Sequence, residues 1–228
     1  METLSTSIQC VLFDLDGTLI DTAADFQQVL NILMDKEGRQ RVPSERINQT
    51  VSDGARALVK LAFEIDEDHA DFGRYLEQLL DLYYEQLQHT VARPYPGVLE
   101  LLEKLEASNI LWGIVTNKPE KYTRLLLEKL DLLQRCGTLV CPEHVSARKP
   151  NPEPLLLACK QLDCDTERTV YIGDHIRDMQ AAKNAEIIAI AAQYGYLAPD
   201  TSIDQWNADF IIKSAGDTEN LLSILKFT

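Results

Sequence analysis

Two hydrophobic periodicities divide this chain. From about residue 21 to about residue 92, apolar positions recur every three or four residues, as expected for helices with one buried face. Phe26, Val29, Leu30, Leu33 and Met34 make one such face, with Asp21 or Thr22 at its capping position and Gly38 at its end. Pro43-Ser44 opens a shorter helix, and Ser52-Asp53-Gly54 breaks the chain ahead of another helical run at residues 55–61. A long helix is predicted from about Ala70 to about Gln88, with Leu76, Leu79, Leu80, Tyr83 and Leu87 on one side.

The rest of the chain reads differently. Short apolar runs at residues 11–13, 110–115, 138–141, 169–173, 187–191 and 208–212 are separated by helical patterns at 98–107, 119–130, 152–162 and 174–185. Strands alternating with helices call for a parallel sheet with right-handed crossovers. The predicted fold is α/β: a Rossmann-like doubly wound parallel sheet from residues 1–20 and 93–228, with a small all-helical domain, residues 21–92, inserted after the first strand. Arg93-Pro94-Tyr95-Pro96-Gly97 reads as the rigid, turn-rich linker that bounds the insertion.

Composition narrows the partners. The 228 residues are 45% hydrophobic and 25% charged, ordinary for a globular protein with a sizeable core. The formal charge of −14 repels nucleic acid and anionic membrane surfaces alike, so neither is an expected partner. An anionic ligand would then need a local cluster of cations or a metal ion. No run approaches the roughly 18 apolar residues of a membrane span, and Met1-Glu2-Thr3-Leu4-Ser5 lacks the basic start and apolar core of a secretion signal. Cys10, Cys136, Cys141, Cys159 and Cys164 are scattered without C-x-x-C spacing, and read as reduced thiols in a cytoplasmic protein, monomeric or homodimeric.

Ligand sites in such sheets lie beyond the carboxyl ends of the strands, and polar residues of distinct types fall there. The run 11–13 breaks into Asp14 and Asp16, which would point the same way on an extended backbone. Gly17 permits a sharp turn, and Thr18 adds a hydroxyl and an N–H at the mouth. The second strand ends at Thr116-Asn117, a loop supplies Lys149, and Asp174 and Asp178 sit one helical turn apart. Together these suit phosphoryl transfer. A carboxylate such as Asp14 can attack phosphorus, and a second, Asp16, can protonate the leaving oxygen and then activate water. Asp14, Asp174 and Asp178 offer hard oxygen ligands to a divalent cation, while Lys149 and the Thr116 hydroxyl can hold phosphate oxygens. Taken singly, each has an ordinary reading: solvated loop acids, a helix cap at Thr116-Asn117, a surface lysine, first-turn acids favoured by a helix dipole. All of them in this order are hard to assign to coincidence.

The succession D-x-D-G-T-L from Asp14, a strand ending in Thr116, Lys149-Pro150 and G-D-x-x-x-D from Gly173 resembles the haloacid dehalogenase superfamily over nearly the whole chain. The resemblance implies that Asp14 is the nucleophile and Asp16 the acid/base, with Thr116 and Lys149 holding the phosphoryl group and Thr18 and Asn117 meeting the substrate. It implies Mg2+ held by Asp14, the main-chain carbonyl of Asp16 and Asp174, supported by Asp178, and it makes the helical insertion a cap over a small phosphate ester. The acid at position 16 argues against the true dehalogenases, which lack it. Within the superfamily the chain is similar to the phosphoglycolate phosphatase branch. Residues 52–59, 112–119, 141–145, 173–178 and 194–196 resemble more narrowly the N-acetylmuramic acid 6-phosphate phosphatases of bacterial cell-wall recycling. Ala185-Glu186 departs from the Ala-Gly usual in the family, which puts the geometry of that turn in question. Arg56, with Lys60 one turn on, is either a solvated helix face or a guanidinium that reaches the closed site to hold a substrate carboxylate or phosphate. Arg177 reads as a surface or ion-pair residue. The expected activity is Mg-dependent phosphomonoester hydrolysis, on N-acetylmuramic acid 6-phosphate or 2-phosphoglycolate. A phosphosugar mutase and a non-catalytic binding protein on the same scaffold stand as alternatives. A kinase is disfavoured by the lack of a G-x-x-x-x-G-K-[ST] loop.

Overall fold

A computed structural model describes residues 8–198 and 201–225. Met1 to Ser5, where no secretion signal was read, lie outside the described residues. The chain starts with strand β1 (Cys10–Phe13) and a two-residue strand β2 (Ile20–Asp21). Helices α1 (Ala23–Lys36), α2 (Ser44–Thr50), α3 (Ala55–Phe63) and α4 (Phe72–Leu87) follow, then strand β3 (Arg93–Pro94). The remainder alternates: α5 (Val98–Ala107), β4 (Leu111–Val115), α6 (Glu120–Lys129), β5 (Thr138–Val140), α7 (Glu153–Leu162), β6 (Thr169–Gly173), α8 (Ile176–Asn184), β7 (Ile188–Ala192), β8 (Phe210–Ile212) and α9 (Asp217–Leu225).

Six strands form one parallel sheet in the order β5-β4-β1-β6-β7-β8. β1 lies between β4 and β6, so the chain winds outward from it in both directions. The carboxyl ends of these three strands flank a topological switch point, where crevices form in such sheets. The pleat divides the apolar side chains between two cores. Val11, Phe13, Ile114, Val170 and Ile172 face one side, and Leu12, Val115 and Tyr171 the other. The first core runs without interruption into the helical insertion through Phe26, Leu30, Leu58, Leu79 and Tyr83.

Three details differ from the sequence reading. The segment read as a linker is paired: Arg93–Pro94 runs antiparallel to Ile20–Asp21, so the chain leaves and re-enters the sheet domain side by side. A ribbon of two strands accepts Pro94 because only one edge of each strand needs partners. The helix α9 was not anticipated. Glu186 adopts φ 58 and keeps the turn without glycine. The Ile187 N–H donates to the Ala182 carbonyl and the Glu186 N–H to that of Lys183, the paired bonds of a Schellman helix end. All five cysteines are free. Among the described residues no helix is long and apolar enough to cross a membrane.

Candidate active site

Asp14 is the first residue beyond β1, and its N–H donates to the Ile172 carbonyl of β6 at 2.8 Å. Its carboxylate oxygen Oδ1 accepts from the Leu15 N–H at 2.8 Å and faces Lys149 Nζ at 2.9 Å. Oδ2 meets no hydrogen-bond donor among the described residues. The chain then turns tightly: the N–H groups of Thr18, Leu19 and Ile20 all point at the Leu15 carbonyl. Gly17 (φ 81) lies so close to Asp174 that a Cβ there would stand 2.0 Å from Oδ2, and a Cβ on Gly195 would stand 2.3 Å from the Asp174 Cβ. Glycine at these positions lets two loops close on one carboxylate.

The predicted helical stacking of Asp174 and Asp178 is corrected by the structure. Asp174 precedes α8, and His175 between them is extended (φ −136, ψ 150). His175 is the N-cap of the helix, and Asp178 in its first turn reaches back, its Oδ2 accepting from the His175 N–H at 3.0 Å. The ordinary reading of Asp178 as a first-turn acid therefore holds in part. The same side chain, fully buried, also turns Oδ1 to Lys149 at 2.8 Å.

Lys149 is buried and joins the two acids. Its Nζ also reaches the Val115 carbonyl at 3.0 Å and the Tyr171 hydroxyl at 2.6 Å. Burial works against the ammonium, but Asp14 and Asp178 outweigh it and hold Lys149 charged. Burial pushes the Asp14 carboxyl up, with Lys149 pulling it back. Among the described residues Asp174 has no cation of its own. Its neighbours are neutral donors: the Ser52 hydroxyl at 2.9 Å, the Tyr196 N–H at 3.0 Å and the Thr18 hydroxyl at 3.4 Å. Burial, with Asp14 and Asp178 nearby, pushes its carboxyl up to about 7.

Asp16 stands apart from these three. It meets Lys118 Nζ at 3.0 and 3.3 Å and accepts from the Thr22 hydroxyl at 2.6 Å. Thr22, the N-cap of α1, thus spends its hydroxyl on Asp16 and makes no side-chain cap; the Ala23 N–H meets the Tyr196 hydroxyl at 2.8 Å and Asp21 at 3.2 Å. Lys118 was missed as a site residue, since an isolated lysine after Thr116-Asn117 gives no periodic signal. In the buried cluster three carboxylates, Asp14, Asp174 and Asp178, face one ammonium, Lys149, so among the described residues full ionisation leaves two negative charges uncompensated. One carboxylate oxygen from each of Asp14, Asp174 and Asp178 lies within 4.8 Å of the others. A divalent cation fits both that donor set and that charge deficit.

The other predicted residues are placed unevenly. The Thr116 hydroxyl accepts from the Lys118 N–H at 3.1 Å and keeps its own hydrogen uncommitted among the described residues. Asn117 Nδ2 donates to the Lys149 carbonyl at 3.0 Å, and its buried Oδ1 has no partner among the described residues. Thr18 does not lie at a mouth. It is fully buried, its hydroxyl turned to Asp174, because the tight turn after Leu15 draws it inward. Arg56 is not brought to the cluster: it is 54% exposed, paired with Glu67 and stacked 5.1 Å over the Phe72 ring, while Lys60 stands 3.7 Å from Asp66 and Glu67. That is the helix-face reading. The insertion touches the site elsewhere. Besides the Ser52 contact, Asp53 lies 3.3 Å from His175 and 3.6 Å from Arg177, whose guanidinium also donates to the Ser52 carbonyl.

Comparison with known proteins agrees with this geometry. A family model described as haloacid dehalogenase-like hydrolase matches residues 11–192. The N-acetylmuramic acid 6-phosphate phosphatase of Pseudomonas aeruginosa is 40% identical over 205 residues, covering 90% of each chain. A phosphoglycolate phosphatase of Xanthomonas campestris pv. campestris is 36% identical over 208 residues, covering 90% of this chain and 92% of its own. The crystal structure of a predicted phosphoglycolate phosphatase from Haemophilus somnus 129pt superposes with a TM-score of 0.83 at 24% identity, over 94% of this chain and 98% of that one, and shares the fold. With the acidic cluster at the switch point of a parallel sheet, these matches establish that the chain belongs to the haloacid dehalogenase-like hydrolase family, as one of its phosphatases.

Proposed function

We propose that the protein hydrolyses a small phosphomonoester through a phosphoryl group carried on Asp14. The observation that carries this reading is the asymmetric setting of that carboxylate. Oδ1 is tied by Leu15 and Lys149, which leaves Oδ2 as the attacking atom. In the first step Oδ2 bonds to phosphorus, the ester P–O bond breaks, and Asp16 gives its proton to the leaving oxygen. In the second, Asp16 takes a proton from water as that water attacks phosphorus, and the P–O bond to Asp14 breaks to release phosphate. The free hydrogen of Thr116 and the charge of Lys149 face oxygens that gain charge in both steps. Asp14, Asp174 and the main-chain carbonyl of Asp16, with Asp178 behind them, would hold Mg2+, which when bound offsets the repulsion between carboxylates and phosphate.

For the substrate, the 40% identity to the Pseudomonas enzyme favours N-acetylmuramic acid 6-phosphate, and the 36% identity to the Xanthomonas enzyme keeps 2-phosphoglycolate as a second reading. The test is phosphate release, with Mg2+, from these two esters, glucose 6-phosphate and a nucleotide, with Asp14→Asn as the blank. A large preference in kcat/KM for the muramic acid ester supports the first reading, and one for 2-phosphoglycolate the second. Isomerisation of a phosphosugar with little free phosphate would replace both with a mutase.

A further inference from the structure

We propose that Lys118 is the positioning residue for Asp16, and that Tyr83 of the helical insertion completes its hold; this rests on the reading of Asp16 as the acid/base. The Lys118 side chain is 6% exposed, and that of Asp16 is 15% exposed. Its ammonium meets both carboxylate oxygens of Asp16 and the Tyr83 hydroxyl at 2.8 Å. Those contacts engage its donors, so little is left for a phosphate or a substrate carboxylate. Two aromatic rings stand beside it: Nζ is 4.6 Å from the Tyr83 ring centroid and 5.1 Å from that of Phe26, and the two rings stack at 4.1 Å. A buried cation bonded to a carboxylate and a hydroxyl, with aromatic rings beside it, is fixed in direction as well as charge. With the Thr22 hydroxyl, Lys118 therefore sets where the Asp16 oxygens point. Phe26 belongs to α1, Tyr83 to α4, and Lys118 to the loop after β4, so the placement of one carboxylate depends on the insertion and the sheet domain together.

An acid that protonates a leaving oxygen matters most for a poor leaving group. A misplaced Asp16 should slow an alkyl phosphate ester strongly and 4-nitrophenyl phosphate weakly, because nitrophenolate departs without a proton. A purely structural role for Lys118 would slow both alike. The experiment measures first-turnover release of the alcohol from both esters with Mg2+, in wild type, Asp16→Asn, Lys118→Met, Lys118→Arg and Tyr83→Phe. The expected result is that Lys118→Met and Asp16→Asn each lose about 10-fold or more extra rate on the alkyl ester. Lys118→Arg should recover part of that loss, and Tyr83→Phe should show a smaller loss of the same selectivity. Equal losses on both esters in Lys118→Met, or wild-type rates, overturn the proposal while Asp16→Asn remains selective. Equal losses in Asp16→Asn instead remove the acid/base reading itself, and the proposal with it. Should Lys118→Met not fold, Tyr83→Phe decides: a selective loss supports the positioning role and unchanged rates on both esters overturn it.

Discussion

The Ser52 hydroxyl donates to Oδ2 of Asp174 at 2.9 Å, so the helical insertion reaches directly into the acidic cluster. The contact helps to orient a carboxylate that has no cation partner among the described residues. Groups that orient a metal-binding carboxylate typically change metal affinity 10- to 100-fold when removed. Ser52→Ala is expected to raise the Mg2+ concentration for half-maximal phosphate release roughly 10-fold. Thermal stability should change little, since one part-buried hydrogen bond is worth about 1 kcal/mol. A Mg2+ titration of activity beside a thermal melt separates the two effects.

The charge deficit gives a pH signature to the metal-free protein. Asp174 is held up to about 7, so the folded chain keeps a proton that the unfolded chain has already released. Stability from this group is therefore present below the ordinary carboxylate range and is lost as pH rises through about 7. Asp14, also pushed up, acts in the same direction. In chelator, Tm is expected to fall as pH rises across that window, and Mg2+ should restore more of it at the alkaline end than at the acid end. Melts at several pH values, with chelator and with Mg2+, check this. A Mg2+ shift independent of pH would contradict it.

Glu186 holds a left-handed conformation, exposed, at the end of α8. A side chain with a Cβ is strained there by about 1–2 kcal/mol, part of which glycine gives back as unfolded-chain entropy. Glu186→Gly is expected to raise stability by about 1 kcal/mol and leave kcat unchanged, measured by denaturant unfolding beside phosphate release.

How far the sequence revealed this architecture follows from where each interaction originates. The runs behind β1, β4 and β6 are continuous apolar segments and the insertion helices are amphipathic, so both were readable from spacing. Asp14, Lys149 and Asp174 were readable because each stands beyond a strand or in a loop at the sheet's carboxyl edge. Lys118 and Ser52 were not, because their partners lie 102 and 122 residues away and meet them only when the insertion packs on the sheet. The ribbon of Ile20–Asp21 and Arg93–Pro94 is too short for any periodicity. Arg56 was drawn toward the site by its charge and motif, whereas Glu67, 11 residues on, claims it locally. The inward turn of Thr18 follows from three N–H groups sharing the Leu15 carbonyl, which no single residue type announces.

In the proposed mechanism Asp14 is the nucleophile that bonds to phosphorus, and acid-quenched turnover tests that role most directly. Wild-type protein, mixed with Mg2+ and a substrate that it hydrolyses and quenched within the first turnover, is digested and its peptides are weighed. The prediction is a phosphoryl adduct on the peptide containing Asp14, absent in Asp14→Asn, which also releases no phosphate. Substantial phosphate release by a folded Asp14→Asn protein, or a first-turnover adduct on another residue, would contradict it.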